Sequence, residues 1–552
     1  MPAINSADIE IIFVDIRILM SGQRYKLYHL KQGKITFEVM KMGMSRRQWF
    51  KHIGWAWIGY GAFAYQPGKA ADALNAGSGP VGHPVQNAAR PTRPRVSVKD
   101  FGAKGDGVAD DYAAIQRAVG AISKAGGGTL VFPKGIYLVD HYKIRGKEER
   151  NPISDFTFRG IDGLAIEGNA SKIVMQGGWT RTADYSNGKY QYSYASQVGF
   201  LFIGCKNLSV RNLEIDGGAA TIQKGEERLA EGTSHGLYLS GCQNVELTNL
   251  HIHHYCVDGL YITRQSTTIS THVSGTNCRF TNNGRQGMSI IQLRYAAFTN
   301  CDFNETGLTG MYGGHSPMAG VDIEPNVSVP KVDDYTGDIK FTNCRFVNNQ
   351  GFQYVGTSYA TTPYTVTFLS CVFKETRDKP RHRTCDVLPA TKLTRFEACR
   401  FENTPLFPSY AVKKNNATVT EVIRCTFVSD RADQQMLSCL APEAVNLVDG
   451  CEFIFNAPAP ASKPAYRRIF IDNTHTRFVN NKIFISRSEH PGNGADLVAL
   501  IYNAQEAARN RWDTDLASPG QYFTNAYAGV QPVADTFPHP EHFRPGKQLS
   551  SK

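Results

Sequence analysis

The chain has 552 residues, of which 41% are hydrophobic and 20% charged, which is enough apolar content for a packed core and excludes a disordered chain. No apolar run reaches about 18 residues, which excludes a bundle of membrane-spanning helices, and no heptad or Gly-X-Y period supports a coiled coil or a collagen. The net charge is +11 overall and +6 outside residues 1–73, a mild surplus that fits an acidic partner or an ordinary solvated surface.

From the N-terminus, residues 1–43 precede a run at 45–51 reading Ser-Arg-Arg-Gln-Trp-Phe-Lys. That run resembles the twin-arginine export motif. The short apolar stretch Ile53 to Tyr65 and the small-residue site Ala71-Asp72-Ala73 complete the pattern of a cleaved signal over 44–73. The expectation is a periplasmic or secreted protein, with 1–43 lying upstream of the true start at Met44. Residues 74–95, rich in Gly, Ala and Pro, read as a linker.

Next comes Val96-Ser-Val-Lys-Asp-Phe-Gly-Ala-Lys-Gly-Asp-Gly-Val-Ala-Asp-Asp111, then a helix, then Gly126-Gly-Gly-Thr-Leu-Val-Phe-Pro-Lys-Gly-Ile-Tyr-Leu138. Gly105-Asp106-Gly107 makes a tight turn, and Asp110 or Asp111 caps the helix. Ala114, Ile115, Ala118, Val119 and Ile122 form its one apolar face, suited to plugging the end of a longer structure.

A repeat follows. Cys278, Cys301, Cys344, Cys371, Cys399, Cys425 and Cys451 each have Phe two residues later, and Asn212-Leu213-Glu214-Ile215 and Asn249-Leu250-His251-Ile252 fill the same slot earlier. Short alternating units, most of them in the twenties of residues, fit only stacked coils of parallel strands. The cysteines then read as small residues of a crowded internal ladder, although an exported protein would first suggest disulfides. No Cys-x-x-Cys pair exists, so zinc is not expected. The opening motif and the repeat together resemble the pectate-lyase superfamily over roughly 96–500. The resemblance implies an all-β solenoid: a right-handed, single-stranded parallel β-helix with an N-terminal capping helix. It also implies kinship with polygalacturonase-like hydrolases and phage tailspike depolymerases, and a monomer or homotrimer. The β-helix is bounded at 96–505, and the tail 506–552, with Trp512, is expected to pack on the last coil.

Four coils share a Gly-apolar-x-apolar register: His235-Gly236-Leu237-Tyr238-Leu239, Asp258-Gly259-Leu260-Tyr261-Ile262, Gln286-Gly287-Met288-Ser289-Ile290 and Ala319-Gly320-Val321-Asp322-Ile323. Alternation points Tyr238, Tyr261, Ser289 and Asp322 outward, about 4.8 Å apart from coil to coil. The column His235, Asp258, Gln286, Ala319 precedes the glycine, and parity leaves its direction open. A third column is Ser240, Thr263, Ile291, Glu324. Asp322 and Glu324 side by side suit glycoside hydrolysis as an acid/base or acid/nucleophile pair, with His235 and Asp258 in support. A solvated strand or a calcium site is the alternative reading of the two carboxylates, and no cofactor is required. Arg285 and Gln286 read as substrate-binding residues, Arg285 for a uronate carboxylate, with Tyr238, Tyr261, His315 and Trp179 as sugar contacts. Ser234-His235-Gly236 and Asp258-Gly259 are similar to polygalacturonase motifs, but their order is reversed and that mechanism does not carry over.

These observations lead to an exported enzyme that hydrolyses an acidic polysaccharide. A lyase or C5-epimerase on uronic acid residues is the first alternative, with Arg285 or Gln286 neutralising the carboxylate and His235, Tyr238 or Tyr261 moving the proton. A non-catalytic carbohydrate-binding β-helix is the second. No nucleic-acid module is recognised, and no membrane contact is expected of the mature form. The basic loop 374–383 could attract an acidic polymer.

Overall fold

A computed structural model describes residues 93–140, 144–145, 154–176, 194–219, 230–307, 317–325, 337–356, 364–377, 385–387, 391–408, 419–431, 435–441, 444–456, 469–485, 499–502, 504–514, 527–528 and 533–536. The export-signal segment, the linker up to residue 92, Trp179, His315 and residues 378–383 lie outside the described residues, and Arg95, assigned to the linker, begins the first strand.

Strands of three to seven residues recur with a buried–exposed alternation, and each pairs in parallel with the equivalent strand of the next coil. They form ladders of 17, 14 and 7 strands among the described residues. One coil takes one strand from each ladder: Gly337–Thr342, Arg345–Val347 and Tyr354–Gly356 are an example. The result is a parallel β-helix, right-handed as parallel crossovers are. One corner is turned by a single residue in the left-handed region, often asparagine: Asn277, Asn300 and Asn343 have φ of 53°, 54° and 52°. Asparagine tolerates this conformation because its short side chain bonds locally. Here the amides also bond to each other, Asn300 Nδ2 donating to Asn277 Oδ1 at 3.3 Å and Asn343 Nδ2 to Asn300 Oδ1 at 2.8 Å.

The interior is built from like residues in register. Phe346, Phe373, Phe401, Phe427 and Phe453 stack with ring centroids 4.6–4.9 Å apart. All twelve cysteines are buried free thiols. Along the ladder Sγ atoms donate to a carbonyl of the preceding coil, as Cys399 does to Phe368 O at 3.4 Å and Cys425 to Phe396 O at 3.4 Å. A thiol fits there because it is small and still satisfies a buried acceptor.

The helix Tyr112–Lys124 closes the N-terminal end. Its buried residues are Ala114, Ile115, Ala118, Val119 and Ile122, and they join the main core. Of the two aspartates before it, Asp110 Oδ1 accepts from Tyr112 N at 3.0 Å, whereas Asp111 turns back to accept from Lys104 N and Gly105 N at 2.6 and 2.9 Å. Asp110 thus caps the helix, and Asp111 pins the turn before it.

The coils run on beyond residue 505. Glu506–Ala508 pairs with Thr476–Val479, and Arg511–Thr514 pairs with Lys482–Ile485. Trp512 is therefore a core residue of a further coil, 1% exposed, and not part of a packing tail. The pattern is hidden because asparagine replaces cysteine in the ladder. Asn481 Nδ2 donates to Val448 O and Asn510 Nδ2 to Phe478 O, the role Sγ plays in earlier coils.

Phe401→Ala removes a ring sandwiched between two others and should destabilise the chain by about 3–5 kcal/mol. A lower midpoint in guanidinium-induced unfolding, followed by circular dichroism, checks this.

Candidate functional site

The site lies on the outer face of the 14-stranded ladder, on the strands Ala230–Ser240, Asp258–Thr263, Gln286–Ile290 and Val321–Ile323. Their register is His235↔Asp258↔Gln286 and Tyr238↔Tyr261↔Ser289↔Asp322. The columns aligned from the glycines are therefore adjacent in space.

The glycines explain why both columns face the same way. A Cβ placed on Gly236 would lie 2.1 Å from Ile252 Cγ2 and 2.7 Å from Gly259 O. One on Gly259 would lie 2.7 Å from Asn283 Nδ2, and one on Gly287 would lie 2.6 Å from Gly320 O. Each glycine points into the core, as does the apolar residue after it. Two consecutive inward positions break the alternation, so the residue before the glycine turns outward with the residue two after it. This settles the direction that parity leaves open, and it sets His235, Asp258 and Gln286 beside Tyr238, Tyr261, Ser289 and Asp322.

Asp258 is the hub and is fully buried. Its Oδ1 accepts from Arg285 Nε at 3.1 Å and from Gln286 N at 3.2 Å; its Oδ2 accepts from Arg285 Nη2 at 2.9 Å and from Ser289 Oγ at 3.1 Å. Burial pushes its pKa up, but the Arg285 charge and the hydrogen bonds outweigh that and hold it down at about 2. His235 Nδ1 lies 3.3 Å from Asp258 Oδ2, close enough for attraction but misaligned for a hydrogen bond. Burial keeps the imidazole below its ordinary pKa despite that neighbour. Its ring stacks on Tyr261 at 4.6 Å and meets Tyr238 edge-on at 5.5 Å. Burial lifts the Tyr238 phenol to about 12 and the Tyr261 phenol higher.

Asp322 is only 3% exposed. Gln286 Nε2 donates to its Oδ2 at 3.0 Å, while Oδ1 has no hydrogen-bond partner among the described residues. Burial, then the charge of Glu324, raise its pKa well above the carboxylate range; Asp258 adds to this and Arg285 opposes it. A carboxyl so placed favours its protonated form. Glu324, two residues on, is partly exposed.

Several expectations are corrected. Arg285 was expected to grip a substrate carboxylate, but both its Nε and Nη2 are committed to Asp258, because a fully buried carboxylate requires a compensating cation. Gln286, also expected on the substrate, is fully buried and holds Asp322. Asp322 faces outward but is covered rather than solvated. Tyr238 and Tyr261 remain partly exposed beside His235. Trp179 and His315 fall outside the described residues. Sequence reasoning missed Ser289 as a donor to Asp258, although its column position was legible. It also missed a histidine–carboxylate cluster on the 17-stranded ladder. Among the described residues the two groupings with metal-ligand spacing both lie in that cluster, and neither contains Asp322 or Glu324.

Residues 95–323 match the family described as "Rhamnogalacturonase A/epimerase, pectate lyase-like". The mannuronan C5-epimerase AlgE1 of Azotobacter vinelandii is 34% identical over 122 residues, which is 22% of this chain and 8% of that protein. Alginate lyase 7 of the same organism is 63% identical over 43 residues, 8% of this chain and 5% of that protein. The matched stretches thus span less than a tenth of these relatives' own length. Among solved structures, the A-module of the Azotobacter vinelandii mannuronan C-5 epimerase AlgE4 superimposes with a TM-score of 0.34 at 14% identity, covering 83% of this chain and 100% of that one. The coil architecture is that of a parallel β-helix, and over residues 95–323 the chain is similar to this pectate-lyase-like family.

Arg285→Met would leave Asp258 buried without its cation, at about 3–5 kcal/mol, detectable by denaturant unfolding at pH 7. Asp258 also dictates an acid limit. Its folded pKa of about 2 lies below the ordinary aspartate value of 3.8, so its stabilisation is complete above the unfolded pKa and disappears as pH falls through about 2. Unfolding free energies measured from pH 5 downwards should fall across that window, and Asp258→Asn should flatten the decline.

Proposed function

We propose that this β-helix is an exported carbohydrate-active enzyme that hydrolyses glycosidic bonds in an acidic, uronate-bearing polysaccharide, with Asp322 as the proton donor and Glu324 as the second carboxylate. The observation that carries this reading is the contrast between the two groups. Asp322 is a buried carboxylic acid, and Glu324 stands two residues away with access to water. Pairs of carboxyl groups whose environments differ in this way divide the acid and base roles between them. Asp322 gives its proton to the departing glycosidic oxygen, and Glu324 activates a water or attacks the anomeric carbon. Gln286 aims Asp322, and burial with the Glu324 charge favours the Asp322 proton, Asp258 adding to this and Arg285 opposing it. Tyr238 and Tyr261 offer uncharged aromatic surface beside the pair, suited to a sugar ring. The mild positive charge and the twin-arginine-like segment support an acidic substrate met outside the cytoplasm.

The printed activities of the relatives favour a second reading, in which the same acid pair moves a proton at C5 of a uronate as a lyase or epimerase. The protein should therefore be incubated with alginate, pectate and neutral glucans while reducing ends, unsaturated-uronate absorbance and solvent-deuterium incorporation at C5 are followed together. Hydrolysis predicts reducing ends alone; absorbance or deuterium without net hydrolysis would replace it with the second reading. Asp322→Asn and Glu324→Gln should each lower kcat by about 10²–10⁴-fold with circular dichroism unchanged. Activity needs protonated Asp322, so it should fall as pH rises through the elevated Asp322 pKa. Full activity in Asp322→Asn would remove this site from the chemistry.

A further inference from the structure

The second cluster lies on the 17-stranded ladder, away from the strands that carry Asp322. The strands Leu164–Gln176, Lys206–Asp216, Gln243–His253 and Arg279–Thr281 place Lys172, Glu214, His251 and Arg279 in one column, and Asp216, His253 and Thr281 in the next. His254 follows directly, with φ of 56°. That is the left-handed region, which a histidine enters at a cost. The turn brings its ring against its neighbour: His253 Nδ1 and His254 Nδ1 are 2.5 Å apart. Both nitrogens face Asp216 Oδ1, at 3.8 and 3.9 Å.

The hydrogen bonds fix the tautomer of His253. His253 Nε2 lies 3.2 Å from Glu214 Oε1. An ionised carboxylate only accepts, so the His253 proton sits on Nε2 and its Nδ1 lone pair accepts from His254 Nδ1–H; a metal ion would take both lone pairs once that proton moves to His254 Nε2. Glu214 is itself held by Lys172 Nζ at 3.0 Å. His251 is different. Arg279 Nη2 donates to its Nδ1 at 3.1 Å, leaving Nε2 to donate to Thr281 Oγ1 at 3.1 Å. Both His251 nitrogens are therefore used, and it is no ligand.

We propose that His253 Nδ1, His254 Nδ1 and Asp216 Oδ1 bind a divalent transition-metal ion of the zinc class, with Glu214 as the carboxylate that orients His253. A tetrahedral ion with bonds of about 2.0–2.1 Å separates its ligands by about 3.3 Å. The His–His gap is shorter than this and the two His–Asp gaps are longer, so shifts of under an ångström seat all three. The chain Lys172–Glu214–His253 supplies the carboxylate–histidine arrangement that sets the tautomer and raises the basicity of a metal-bound imidazole. Two imidazoles and one carboxylate suit zinc, cobalt, nickel or copper, whereas calcium and magnesium prefer all-oxygen sets. Asp216 and His254 are partly exposed, which leaves the fourth position to water. The proposal does not depend on the functional reading of Asp322 and Glu324.

The test uses the full chain, stripped with a chelator and titrated with Zn2+ by calorimetry and with Co2+ by visible absorption. One equivalent of either ion should bind, each displacing the other, with excess Ca2+ or Mg2+ displacing neither. His254→Gln and Asp216→Asn should weaken binding by at least about 100-fold, and Glu214→Gln by about 10–100-fold. His251→Gln should leave the affinity unchanged. Circular dichroism confirms that each variant is folded, and His254→Gln, at a partly exposed position, keeps the test open if Asp216→Asn fails to fold. Absence of stoichiometric binding, equal affinity in His254→Gln, or an equal loss in His251→Gln would each overturn the assignment.

Discussion

In a stack of parallel coils, the nearest neighbour of every side chain is the residue at the same position one coil away, about 4.8 Å distant. A position is therefore occupied by residues that tolerate their own kind. Phenylalanines stack face to face from Phe346 to Phe453. Asparagines link amide to amide along the corner from Asn277 to Asn343. Glycines follow glycines wherever the backbone of one coil presses on the next, as at Gly236, Gly259, Gly287 and Gly320. Charges cannot repeat in this way without repulsion, so a column that changes from one polar type to another marks a place where opposite or complementary groups have been set together.

The two polar centres are such places, and they solve the problem differently. On the 14-stranded ladder, one carboxylate is fully compensated: Asp258 accepts four hydrogen bonds, two of them from Arg285. The next carboxyl along, Asp322, receives one bond among the described residues and has Glu324 as a neighbour, so its protonated form is favoured. The first group is frozen, and the second is poised to give up a proton. On the 17-stranded ladder, Lys172 spans Glu214 and Asp216 at 3.0 Å each, and histidines occupy the coil above, where further carboxylates would repel.

The solenoid and its plug were legible in the sequence because both depend on short-range patterns. The helix face of Ala114, Ile115, Ala118, Val119 and Ile122 is a spacing of three and four, and the Cys-x-Phe slots fall at successive coils. The end of the repeat was not legible, because Asn481 and Asn510 do the work of cysteine with different atoms. At the site, the glycine registers gave the correct neighbours, but direction and depth were hidden. Alternation alone cannot reveal that the glycine breaks it. Nor can it show that Arg285 reaches back to a buried Asp258 rather than out to a ligand. The histidine cluster escaped for a related reason. The slot that aligns Glu214 with His251 was visible, but the left-handed turn that folds His254 onto His253 was not.

The protonation of Asp322 is the physical claim on which the functional reading stands. An infrared difference spectrum between the wild-type chain and Asp322→Asn at neutral pH addresses it directly. A protonated-carboxyl stretch present in the wild type, lost in the variant and persisting until the pH is raised well above the ordinary carboxylate range is the predicted result. A wild-type spectrum without that band, with Asp322 contributing only carboxylate stretches at pH 7, would contradict the assignment of Asp322 as the proton donor.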